Sequence, residues 1–145
     1  MNISLTDLPQ QISQFLHQLK DQEIIGLIGP IGAGKTTFVS HLLAAIDKKA
    51  LQKFSSPTFT ILNRYETASK IINHVDLYRL NSYREFEALD LIPLFQQPNT
   101  VTFIEWADKF PELTSILTQR ILLNHVSEQP EVRSLSIESI KAQTN

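Results

Sequence analysis

The stretch Gly29-Pro30-Ile31-Gly32-Ala33-Gly34-Lys35-Thr36 constrains this chain more than any other. It follows G-x-x-x-x-G-K-[ST], a pattern that makes a phosphate-binding loop when a strand precedes it and a helix follows. Both flanks are written in the sequence. Ile24 to Ile28 is an apolar run that predicts a buried strand, and Phe38, Val39, Leu42, Leu43 and Ile46 recur at helical spacing. The chain has four glycines, Gly26, Gly29, Gly32 and Gly34, and all of them fall here. Ordinary turn chemistry would scatter them.

The physics of such a loop is direct. Glycines allow positive φ and close approach of the backbone to a ligand. Successive N–H groups from Gly29, Pro30's neighbours, Ile31, Gly32, Ala33 and Gly34 then form an anion cradle, and the helix that begins at Lys35 adds the positive end of its dipole. Lys35 is expected to reach the β- and γ-phosphates. The Thr36 hydroxyl is expected to be a Mg²⁺ ligand, and Thr37 to contact phosphate through its hydroxyl or N–H.

With 145 residues the chain predicts one domain, 1–145, large enough to bury roughly 70% of its unfolded surface. The formal net charge of −2 argues against strong nucleic-acid binding by the chain alone. Lys48, Lys49 and Lys53 read as a solvated helix end and loop. The absence of cysteine removes disulfides, thiolate metal sites and thiol nucleophiles. No secretory signal or membrane-spanning run is evident, so a cytoplasmic protein is expected.

Upstream of the loop, Leu8, Ile12, Phe15, Leu16 and Leu19 predict an amphipathic helix, with Thr6 as N-cap and Pro9 in its first turn. Downstream, Ser56-Pro57-Thr58-Phe59 places hydroxyls on either side of a rigid proline, as in switch segments that contact a γ-phosphate or its metal. An ordinary strand entry reads the same way locally. Phe59 to Glu66 and Ile71 to Tyr78 predict an antiparallel hairpin. Strand alternation sends His74 and Asp76 to one face, and Asp76, set between Val75 and Leu77 with His74 on its own face, is a candidate for a metal or water contact.

Ser82 to Leu91 predicts a helix capped by Ser82 and Glu85, and Ile92 to Gln97 a second short one. Val101 to Trp106 is an apolar strand ending in a carboxylate. In phosphate-loop folds such a strand lies beside the loop strand, and its acid, here Glu105, reaches Mg²⁺ directly or through water. Trp106, the only tryptophan, is expected at the rim of the same crevice. Asp108 to Ile116 predicts a helix broken at Pro111. Thr118 to Val126 and Val132 to Ile140 predict a hairpin with a polar turn at Glu128 to Pro130, and Lys141 to Asn145 a frayed tail.

These pieces predict an α/β fold: a P-loop NTPase-like three-layer sandwich whose mixed central sheet carries two antiparallel hairpins. The base is expected to be adenine. No asparagine is followed by lysine, and no glycine lies beyond residue 34, so the guanine and Asp-x-x-Gly motifs of GTPases are absent.

Gly29 to Thr37, Ser56-Pro57-Thr58-Phe59, His74-Val75-Asp76-Leu77-Tyr78-Arg79-Leu80 and Ile104-Glu105-Trp106 together resemble the TsaE family, also called YjeE, in order and spacing. The resemblance implies a bacterial ATPase of tRNA threonylcarbamoyladenosine synthesis that binds ATP and Mg²⁺ and acts with the TsaD–TsaB pair. It implies tRNA contact only through those partners. It also implies phosphate and Mg²⁺ roles for Lys35 and Thr36, a switch-like role for Ser56 and Thr58, essential acids at Asp76 and Glu105, and Trp106 beside the nucleotide. The chain departs from the family where Pro30 replaces an acidic loop residue and where Asp90 stands in place of a Leu-Gly pair. It departs again at Ile116-Leu117-Thr118, which lacks the usual Leu-Pro. The expected chemistry is attack of water on the γ-phosphate, with Lys35, Asp76 and Glu105 as the catalytic set. The competing readings are a small-molecule kinase and a nucleotide-gated binding module without turnover.

Overall fold

In a computed structural model describing residues 1–140, the chain folds around a seven-stranded mixed sheet. Strand β2 (Ile24–Ile28) leads into the glycine-rich loop and helix α2 (Lys35–Ile46). It pairs in parallel with β5 (Thr100–Glu105) on one side and β6 (Gln119–Val126) on the other. Next to β5 lies β4 (Ile71–Asp76), also parallel, and at the edge β3 (Leu62–Glu66), antiparallel to β4. Beyond β6 lies β7 (Gln129–Ser139), antiparallel, and at the far edge β1 (Asn2–Ser4). A block of four parallel strands is thus flanked by two antiparallel hairpins, β3–β4 and β6–β7.

Strand alternation builds the layers. Ile25 and Leu27 of β2, with Val101 and Phe103 of β5, face helix α1 (Leu8–Gln18) and α2, where Ile12, Phe15, Phe38, Leu42 and Leu43 close one core. Ile24, Ile104 and Val75 face the other way, onto Leu77, Leu80, Phe86 of α4 (Tyr83–Ala88), Phe95 of α5 (Ile92–Phe95) and Leu113. A ring such as Phe38 or Phe103, fully removed from water, contributes about 3 kcal/mol by burial. The central strands are buried on both faces, which explains why they read as continuous apolar runs.

Several boundaries differ from the sequence expectation, each for a local reason. The N-cap of α1 is Asp7, not Thr6, whose hydroxyl instead bonds Ser4 Oγ at 2.9 Å. Strand β3 begins at Leu62 rather than Phe59, because Ile61 N bonds Pro57 O in a turn and Ile61 takes φ 68°. Strand β4 stops at Asp76, where the carboxylate accepts from Tyr78 N and folds the chain into an Asx turn. Helix α4 ends at Ala88, and Asp90 follows at φ 52°, the conformation glycine adopts without cost. Residues 108–116 form not one broken helix but two 3₁₀ turns, Ala107–Lys109 and Pro111–Ser115. The β6–β7 turn is at Ser127 and Glu128, so Gln129 and Pro130 already belong to β7. Strand β1, too short to show periodicity, was not expected. The tail Lys141 to Asn145 lies outside the described residues. Among the described residues no helix is long and apolar enough to cross a membrane.

Candidate functional site

The loop between β2 and α2 is shaped by its glycines and braced from behind. Gly34 is the N-cap of α2 at φ 108°, a left-handed conformation that costs an L side chain roughly 1–2 kcal/mol. At Gly29, an added Cβ would lie 2.1 Å from the Leu123 carbonyl oxygen of β6, so any side chain would lift the loop off the sheet. Arg133 of β7 donates to Ala33 O at 3.2 Å and Gly32 O at 3.4 Å, and His125 Nε2 lies 3.3 Å from Ile31 O. With those carbonyls held on the β6–β7 side, planar peptides turn the amides of Gly32 and Gly34 the other way. There they meet the free amides of the first turn of α2.

Those amides open onto a cleft of about 370 Å³ at the carboxyl ends of β2, β4 and β5. Ile31, Gly32, Gly34, Lys35, Thr36 and Thr37 form one wall; Thr58, Asp76, Tyr78, Glu105 and Trp106 form the other. Gly29, Pro30 and Ala33 shape the loop without lining the cleft, and Ser56 reaches it only indirectly, its hydroxyl 2.9 Å from that of Thr58. A larger cavity of about 560 Å³ lies between Lys49, Lys53 and the edge strand β3, away from the loop. The larger cavity has its own lysines and carboxylates, but only the smaller cleft adjoins the glycine-rich loop, and its lysine and two carboxylates are all buried.

Lys35 is buried, and burial pushes its pKa below the ordinary lysine value, against the opposing pull of Glu105, Asp108 and Asp76. Its Nζ donates to the carbonyls of Gly29 and Pro30, the latter at 3.1 Å, and sits 4.0 Å from the centre of the Trp106 ring. That ring is placed by Trp106 at φ 61°, an unusual conformation for a bulky residue, and Tyr78 leans on it at 5.4 Å. Lys35 is thus a folded-back cation whose partners are neutral carbonyls and a ring face.

The acids come from adjacent strands. Asp76 and Glu105 are register partners at the ends of β4 and β5, and each is 3% exposed. Thr36 Oγ1 lies 2.9 Å from both Glu105 oxygens. Asp76 Oδ2 accepts from Thr58 Oγ1 at 2.9 Å, and its Oδ1 from Tyr78 N at 2.8 Å. Among the described residues no cluster of three or more His, Asp or Glu is placed to hold a metal. The Thr36–Glu105 pair nevertheless suits Mg²⁺, which takes one or two protein oxygens and completes its shell with water and phosphate.

His74, on the same face of β4 as Asp76, does not line the cleft; it is fully buried, its Nε2 2.5 Å from Glu105 Oε2. Tyr78, Arg133 and His125 were not expected at all. Tyr78 belongs to the same seven-residue motif as Asp76, which was a usable signal. Arg133 and His125 come from the distant hairpin, and only the fold brings them to the loop.

A profile of the family described as threonylcarbamoyl adenosine biosynthesis protein TsaE matches residues 4–135. The chain belongs to the TsaE family. It is 36% identical over 115 residues to the tRNA threonylcarbamoyladenosine biosynthesis protein TsaE of Aquifex aeolicus, covering 79% of this chain and 78% of that one. With the Haemophilus influenzae protein of the same name it shares 33% over 122 residues, covering 84% of this chain and 72% of that one. Its fold resembles the crystal structure of Bacillus subtilus YdiB, with a TM-score of 0.66 over 97% of this chain and 86% of that one, at 18% identity. As a TsaE protein, the chain functions in tRNA threonylcarbamoyladenosine biosynthesis. The Asp90 departure has a structural meaning here: the aspartate occupies the left-handed position at the end of α4 that a glycine suits.

Proposed function

We propose that this TsaE protein binds ATP with Mg²⁺ in the cleft and hydrolyses it, driving turnover of the TsaD–TsaB pair in the cytoplasm. The observation that carries the reading is the meeting of the Thr36 hydroxyl and the Glu105 carboxylate, 2.9 Å apart, beside the amide cradle.

The chain's groups divide the work. The amides of the loop and of the first turn of α2 hold the phosphates. Lys35 exchanges its carbonyl partners for phosphate oxygens and neutralises charge there. Thr36 and Glu105 hold the Mg²⁺, which supplies Lewis-acid stabilisation of the charge that develops during transfer. Asp76, aimed into the cleft and tethered to Thr58, orients the attacking water. Trp106 and Tyr78 wall the site from solvent. Water attacks the γ-phosphorus, the bond to the bridging oxygen breaks, and ADP and phosphate leave.

Among the described residues Lys35 is the only cationic side chain lining the cleft. Arg79 does not line the cleft; its guanidinium lies 5.1 Å from the Phe59 ring. Phosphoryl transfer gains on the order of 10³–10⁵ from an arginine supplied in trans. The isolated chain is therefore expected to be slow and the partner pair to accelerate it.

The test is ATP hydrolysis by the pure chain, with and without Mg²⁺ and with and without TsaD–TsaB, alongside Lys35→Ala. The expected result is slow Mg²⁺-dependent hydrolysis, stimulated by the pair and lost in the variant. Phosphate release that persists in Lys35→Ala, or that ignores Mg²⁺, would sink the reading.

A further inference from the structure

We propose that His74 is a positioning residue for Glu105: its Nε2–H fixes the carboxylate that Thr36 and Mg²⁺ are to share, from a place outside the cleft. This rests on the nucleotide reading above. His74 is 0% exposed, and among the described residues its Nδ1 has no hydrogen-bond partner, while Nε2 lies 2.5 Å from Glu105 Oε2. A ring with no acceptor at Nδ1 keeps its hydrogen on Nε2, directed at Glu105. A buried nitrogen left without a partner is unfavourable. An aliphatic side chain would fill the same space without that cost, so packing alone does not account for a histidine here.

The ring is also oriented. Phe54 stacks on His74 with centroids 5.8 Å apart and planes 18° from parallel, and Tyr65 stacks on Phe54 at 5.9 Å and 20°. The Tyr65 hydroxyl is 3.1 Å from both N and O of Ser55, which anchors the stack to the backbone just before Ser56 and Thr58. Glu105 is consequently held by two partners: Thr36 of α2, 2.9 Å from both oxygens, and His74 of β4, which shares Oε2. Without the inner donor, the carboxylate can turn about its last bond, and the pair of oxygens prepared for a hard cation loses its geometry. Loss of such an outer partner typically lowers metal affinity by about 10–100-fold.

The test compares the full-length wild-type chain with His74→Leu and His74→Gln. ATP binding is read from Trp106 fluorescence in EDTA and across a Mg²⁺ titration. The readout is the ratio of ATP affinity with and without Mg²⁺. It is expected to fall about 10-fold or more in His74→Leu and to recover to within about 3-fold of wild type in His74→Gln, whose amide nitrogen restores a donor. A purely structural role would lower the unfolding temperature of both variants and leave the ratio alone. A folded His74→Leu chain with the wild-type ratio overturns the proposal. A second measurement does not depend on the variants folding. Long-range ¹H–¹⁵N spectra of the wild-type chain should show His74 as the Nε2–H tautomer, with its resonances shifted in Glu105→Gln. An Nδ1–H tautomer, or no shift, overturns it. Failure of the wild-type chain to bind ATP at all would remove the nucleotide reading and this proposal together. Binding with an unaltered ratio in both variants would remove only the role of His74.

Discussion

Asp76 and Glu105 end adjacent parallel strands, face one another in register and are equally buried, yet they are wired to different parts of the chain. Glu105 is tied to Thr36 in the first turn of α2 and to His74 inside the sheet. Both partners sit in regular elements. Asp76 is tied to Thr58, in the irregular segment before β3, and to the amide of Tyr78 in the turn that follows it. One acid is locked into the framework; the other joins the framework to a segment with a strained neighbour, Ile61 at φ 68°. Two carboxylates of the same burial and charge are therefore suited to different tasks. The function proposed above accordingly gives Glu105 to the cation, where fixed geometry counts, and Asp76 to the water and the switch-like segment.

The largest expected effect tests that division. Glu105→Gln keeps the shape and removes the charge beside Thr36. It should lower ATP hydrolysis on the order of 10²-fold and raise the Mg²⁺ concentration needed for half-maximal rate. Asp76→Asn should lower the maximal rate about 10-fold while leaving that Mg²⁺ concentration close to the wild-type value. Initial rates against Mg²⁺ concentration distinguish the two. Equal shifts in both variants would erase the distinction. Gly34→Ala should behave like neither. With φ at 108°, an alanine there should cost about 1–2 kcal/mol in urea unfolding and weaken ATP binding whether or not Mg²⁺ is present.

The reasons this site could be read from sequence are as instructive as the places where it could not. The loop, the acid at the end of β5 and the tryptophan after it were legible because each is local: a few residues whose spacing fixes their geometry. Strands β2 and β5 at the centre were legible because strands buried on both faces leave largely apolar runs. The surroundings of His74 were not legible, because alternation gives a side, not a depth. The histidine shares a side with Asp76, but two residues earlier along β4 that side faces Phe54 rather than the cleft. The contacts of Arg133 and His125 with the loop span about a hundred residues and carry no local mark. Positive φ was hidden for a different reason. With every glycine spent by Gly34, Gln22, Ile61, Asp90, Asn99, Trp106 and Glu128 take left-handed conformations that composition would assign to glycine. The sequence therefore understates how sharply the chain turns at Ile61, and the start of β3 was placed too early.

The smallest effect is the sharpest probe of the wiring. Thr58→Val removes the hydroxyl that donates to Asp76 Oδ2 and leaves the Tyr78 amide on Oδ1. A single hydrogen bond of this kind contributes about 1 kcal/mol, so hydrolysis should fall roughly 5-fold, with little change in Mg²⁺ dependence. Double-mutant cycles give the result its meaning. If Thr58 acts through Asp76, combining Thr58→Val with Asp76→Asn should show a coupling of about 1 kcal/mol, because the second change has little left to remove. Combining it with Glu105→Gln should be additive to within about 0.5 kcal/mol, since among the described residues Thr58 and Glu105 share no hydrogen-bond partner. Coupling of similar size in both cycles would mean that the two acids behave as one unit, and that their separate hydrogen-bond partners do not separate their functions.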